Sequence, residues 1–158
     1  DIGGTGILIT AAVGSGLVGG LFFAFSTFVM QALDQQPPAA AVRAMQAINV
    51  TVLNPLFFLA FFGTAAVAVF LLGRAILGWG SASVPAVAAG AGLYLVGSIL
   101  VTVVFNVPLN NRLAAVDAKA DQAAAWQAYS APWTFWNHVR TCASLLAAIC
   151  FCLALGAG

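Results

Sequence analysis

PLFFLAFFGTAAVAVFLLGRAIL, Pro55–Leu77, carries a single charge, Arg74, close to its end. A helix of this length crosses a hydrocarbon core of about 30 Å at about 1.5 Å per residue. Three other stretches read the same way: Ile2–Met30, Val84–Val107 and Asn137–Leu155. Lipid satisfies no backbone polar groups, so each stretch is expected to be a helix. The strict alternation of a membrane β-barrel strand is absent. The predicted fold is therefore all-α: one transmembrane domain over residues 1–158, built as a four-helix bundle with short interfacial helices in the 1–2 and 3–4 loops.

Composition agrees. Hydrophobic residues make up 63% of the 158, charged residues 6%, and the mean hydropathy is +1.04. The bilayer is the first expected partner. A net charge of +1 without any basic run gives no footprint for nucleic acid. The first apolar run is too long for a removable signal peptide and lacks a basic front end. The three cysteines, Cys142, Cys150 and Cys152, form no C-x-x-C pair and read as small apolar packing residues. Asp117 and Asp121 are four apart, but no third ligand accompanies them, so no metal site is expected.

Four spans put both termini on one side, with the link around Gly78–Ser83. Arg43, Arg112, Lys119 and Arg140 belong to the other side, against Arg74 alone. The positive-inside bias places the two long loops in the cytoplasm and the termini outside. In the first loop, Ala39–Ile48 follows Pro37-Pro38 as a short helix with Val42, Met45 and Ile48 on one face. Asn54-Pro55 opens the second span as a capping pair. In the second loop, Leu113–Tyr129 is rich in helix-forming alanine. In the first span, Gly16 and Gly20 permit close helix approach, either within the chain or in a homo-oligomer.

Polar residues gather at the two-loop end. Tyr94, Ser98, Thr102, Asn106 and Asn110 follow one another at i+4 steps on the third span, although Pro108 interrupts the last step and would leave Asn110 in the loop. Trp133, Asn137, Arg140, Thr141 and Ser144 share a face of the fourth, with His138 about 100° to one side. Facing stripes of this kind would line a cavity with aromatic walls and polar donors, suited to a flat lipophilic molecule carrying a few oxygens. An ionisable residue inside a membrane is a functional-site hypothesis by default.

At these residues the chain resembles a known family. Phe25-Ser26-Thr27-Phe28-Val29-Met30, Met45-Gln46-Ala47-Ile48-Asn49, Leu53-Asn54-Pro55, Asn106-Val107-Pro108-Leu109-Asn110 and the run from Trp126 through Trp136-Asn137-His138-Val139-Arg140 look like the anthrone oxygenase-like family of small four-helix membrane proteins. The resemblance spans nearly the whole chain and implies a bacterial plasma membrane protein. Fungal members oxidise anthrones to anthraquinones, and no metal or organic cofactor is firmly assigned to the family. The resemblance thus implies a cofactor-independent oxygenase for a lipophilic aromatic substrate.

Such chemistry needs a base and donors for a developing oxyanion. His138, the chain's one histidine, is the expected base. Arg140, Asn106 and Asn137 are the expected donors, and Trp133, Trp136 and Phe105 the stacking residues, with Asn110 and Asn54 completing the substrate site. A second reading is a non-enzymatic accessory subunit of a larger membrane complex that holds lipid, quinone or pigment. Haem ligation through His138 would need a second axial ligand from elsewhere. Transport lacks a midplane carboxylate and a paired repeat.

Overall fold

Apolar runs that must satisfy their own backbone become helices, and helix accounts for nearly all of the computed structural model, which describes residues 2–77 and 83–157. No strand occurs among the described residues. Five continuous helices follow one another. α1 covers 2–34, α2 Pro38–Thr51, α3 Pro55–Ile76, α4 Val84–Ala114 and α5 Gln122–Gly156. All but α2 are long and apolar enough to cross a membrane. The protein is an integral membrane helical bundle. The Gly78–Ser83 link lies outside the described residues except for Ser83.

Three spans run further than their apolar stretches. α1 continues to residue 34, α4 passes through Pro108 to Ala114, and α5 begins at Gln122 rather than at Asn137. Asp121 caps α5 by accepting from the Ala124 amide at 3.0 Å. Pro132 sits inside α5 without ending it. The helix expected in the 3–4 loop is present as the first turns of α5, continuous with the span. Pro108 has no N–H and crowds the carbonyl four residues back. The turn before it, Thr102–Asn106, is wound as a wider π-helix. Its i→i+5 pattern relieves that conflict and keeps Asn110 helical.

The spans pack as a ring. α1 lies against α5 and α3, and α4 lies against α3 and α5. Two close approaches set the spacing. A Cβ on Gly14 would collide with Thr64 of α3, and one on Gly97 with Ala143 of α5. Gly16 and Gly20, expected at such a contact, meet nothing within 4 Å. The reason is helix phase: Gly14 and not Gly16 is on the face turned to α3.

Two apolar cores result. Phe22, Phe61, Tyr94, Ala147 and Phe151 fill the half nearer the termini. Met30, Val42, Met45, Leu113, Trp126 and Trp133 fill the half beneath α2. Leu17, Phe28, Leu56, Leu59 and Leu153 stay exposed on the outside, the surface that lipid covers. Between the two cores runs a layer of buried polar side chains.

Candidate functional site

That layer is built on α5. Asn137 and Arg140 are three residues apart on its inner face and both are buried. The Asn137 amide donates to the Phe22 carbonyl and to Ser26 Oγ, each at 2.7 Å. Its Oδ1 accepts from Arg140 Nη2 at 2.7 Å. Thr141 Oγ1 donates to the Asn137 carbonyl at 2.8 Å and lies 3.0 Å from Ser26 Oγ. Ser26 itself belongs to a second π-helical stretch, Phe25–Val29. Such turns recur at functional sites because they redirect side chains that a regular helix would misplace.

Arg140 reaches α4 as well. Its Nη1 donates to Thr102 Oγ1 at 3.1 Å, and Thr102 Oγ1 donates to the Ser98 carbonyl at 2.7 Å. The guanidinium carbon lies 4.1 Å from the Phe22 ring centre and 5.2 Å from that of Trp133. Cation–π contacts of this kind replace part of the lost hydration. Its Nε has no partner. The chain has four acidic residues, all aspartates. Among the described ones, Asp34 accepts from Trp126 Nε1, while Asp117 and Asp121 cap exposed turns. None pairs with Arg140. A cation only 5% exposed therefore stands without a counter-ion.

It stands on the wall of a cavity of about 300 Å³. Phe22, Phe25 and Trp133 form aromatic walls, and Gln46, Asn49 and Asn110 add polar ones. Asn110 Oδ1 accepts from both Trp133 Nε1 at 2.8 Å and Tyr129 OH at 2.9 Å. Its carbonyl is thereby engaged, which leaves its N–H₂ for a ligand. α2 roofs the cavity. Gln46 pins α2 by donating to the Leu113 and Val116 carbonyls at 2.8 and 3.0 Å. Exposed Val50, Leu53 and Asn111 mark the mouth.

The expected site residues divide. Arg140, Asn110 and Trp133 line the cavity, and Asn137, one helical turn earlier on α5, supports Arg140 from outside the lining. Asn106 is buried between α4 and α5, where its amide donates to the Trp133 carbonyl at 3.2 Å and its Oδ1 has no partner. His138 is exposed on the outer face of α5 and does not line the cavity. A helix that turns Asn137 and Arg140 inward must turn residue 138 outward, at about 100° per residue. Phe105 and Trp136 stack on each other, with ring centres 3.5 Å apart and planes at 7°, and lie outside the cavity. Asn54 caps α3 by accepting from the Phe57 amide at 3.0 Å and also lies outside it.

A family model described as anthrone oxygenase matches residues 56–150, more than half of the chain. The protein belongs to the anthrone oxygenase family. No curated protein and no solved structure matches it. The family match takes in Thr102, Asn110, Trp133, Asn137 and Arg140 but begins after α2. Gln46, Asn49, Phe22 and Ser26, which complete the site of this anthrone oxygenase family member, come from the part before it. The sequence signal for Gln46 and Asn49 is their place in the Met45–Asn49 run that carries the family resemblance, which does not say what that run covers. Among the described residues no cluster of three His, Cys, Asp or Glu side chains forms. The arrangement offers an anchored cation, amide donors and aromatic faces around a space of ligand size.

Proposed function

We propose that this membrane protein oxygenates a flat, lipophilic aromatic ketone of the anthrone type in the cavity beneath α2, without a resident cofactor. One observation carries the reading: Arg140 is buried on the cavity wall without a counter-ion among the described residues. An isolated buried charge is costly unless something completes its pairing. The charge that develops on a reacting ketone oxygen is what it lacks.

The chemistry balances with dioxygen alone. Loss of a proton from the CH₂ between two aryl rings leaves an anion whose charge rests largely on the ketone oxygen. That anion gives one electron to dioxygen, and the radical and superoxide combine into a C–O–O bond. Protonation gives a hydroperoxide. Loss of the second C–H proton with cleavage of O–O then yields the new carbonyl and water. Arg140, fixed by Asn137 and Thr102, holds the ketone oxygen where the negative charge appears, as a preorganised donor. Asn110 contacts a second oxygen of the ring system. Phe25 and Trp133, in contact with ring centres 5.6 Å apart, form one aromatic wall against which the ring system packs.

The test is oxygen consumption by the purified protein with several anthrones, measured above the spontaneous rate. Acceleration that Arg140→Gln removes supports the reading. No acceleration, together with a partner protein that co-elutes at fixed stoichiometry, favours the accessory-subunit reading instead.

A further inference from the structure

Around Arg140 the cavity holds no second ionisable group. Among the described residues its lining contains no Asp, Glu, His, Cys, Lys or Tyr. From α1, Asp34 is engaged by Trp126. From α2 and α4, Arg43 and Arg112 are exposed and lie outside the cavity. From α5, the Tyr129 hydroxyl is committed to Asn110, and His138 faces outward. From α3 only Phe57 reaches the cavity. The site has a fixed positive charge and no base of its own.

We propose that the cavity binds its ligand as an oxyanion. An acidic lipophile, a phenol or an enolisable ketone, occupies it as the conjugate base, and its negative charge is the counter-ion Arg140 lacks. This rests on reading the cavity as the ligand site. The O–H or C–H bond breaks heterolytically, the electron pair stays on the ligand, and the proton passes to water at the mouth beside Asn111. No protein base is needed, because the cation raises the ligand's own acid constant. Burial alone would oppose ionisation, whereas an opposite charge within about 4–6 Å favours it. Here the charge prevails, because no carboxylate dilutes its field and surface salt does not reach it.

The occupant is an acidic aromatic rather than an anionic phospholipid headgroup. The cavity beside the cation is aromatic, with Phe22 and Trp133 flanking the guanidinium itself.

The experiment uses 1,8-dihydroxyanthraquinone, which changes colour on ionisation and is already at the oxidised level, so it cannot be turned over. Its absorbance is titrated against pH with the intact protein in neutral lipid nanodiscs and in protein-free nanodiscs. The bound probe is expected to ionise at least about one pH unit lower, a tenfold change in acid constant. Arg140→Gln should abolish the change. Thr102→Asp guards against misfolding of that variant. It leaves the arginine and its Asn137 contact in place and puts a carboxylate where Thr102 Oγ1 now accepts at 3.1 Å, so it too should abolish the change. An unchanged or raised midpoint in the wild type would overturn the proposal. So would a lowered midpoint that survives in Thr102→Asp, or displacement of the probe by phosphatidylglycerol. A protein that lowers the midpoint but consumes no oxygen with anthrones keeps this inference and loses the proposed function.

Discussion

Arg140 Nη2 donates to Asn137 Oδ1 at 2.7 Å, one helical turn back on α5, and the same asparagine holds α1 through the Phe22 carbonyl at 2.7 Å. A single amide thus positions the buried cation and joins two spans. Asn137→Ala would strip Arg140 of one acceptor and leave the Phe22 carbonyl without that donor. A hydrogen bond to a charged group contributes about 1.5–3 kcal/mol. A thermal melt in detergent should show a clear loss of stability, larger than for an alanine substitution at exposed Thr134-side neighbours such as Phe135.

Arg140→Lys should fold yet bind ligand poorly. The guanidinium spans Thr102 on α4 and Asn137 on α5 with separate nitrogens. A compact ammonium cannot hold both and also face the cavity. Affinity for a hydroxyanthraquinone should fall about tenfold or more, read by quenching of tryptophan fluorescence.

His138→Ala should leave binding and any oxygen consumption close to wild type. The imidazole is exposed on the outer face of α5 and lines no part of the cavity. Loss of activity in a monodisperse His138→Ala protein would restore the histidine as a base and contradict the site described above.

Asn110→Ala should weaken both fold and site. The Asn110 carbonyl accepts from Trp133 Nε1 and Tyr129 OH, and both donors would lose it. Each unsatisfied buried donor costs about 1–3 kcal/mol. A shift in the emission of Trp133 should accompany the loss.

The two long loops should face the cytoplasm, because Arg43, Arg112 and Lys119 outweigh Arg74. In a background without Cys142, Cys150 and Cys152, cysteines introduced at 43 and 119 should resist an impermeant thiol reagent added to intact cells. Labelling from outside would invert the topology.

The four spans were legible because about 20 apolar residues admit little but a membrane helix. The stripe of Asn137 and Arg140 was legible because spacing of three or four defines a helix face. Three things were not. Helix ends escaped because Gln122–Trp136 mixes alanine, polar and aromatic residues, which suit a loop helix or a continued span equally. The phase of α1 escaped because its outer face is as apolar as its inner one, so Gly14 and Gly16 look alike. Residue 138 adjoins 137 in the chain yet faces the other way, and only the packing of α5 on α1 says which of the two turns inward. The roof of the cavity, with Gln46 and Asn49 of α2, is a tertiary fact that no periodicity carries.

The most direct measurement is an experimental structure with a hydroxyanthraquinone bound. The ligand should lie against the Phe25–Trp133 wall beneath α2, with an oxygen about 3 Å from the Arg140 guanidinium. A ligand seated on the Phe105–Trp136 stack or beside His138, with Arg140 left without an anionic or carbonyl oxygen, would contradict the account.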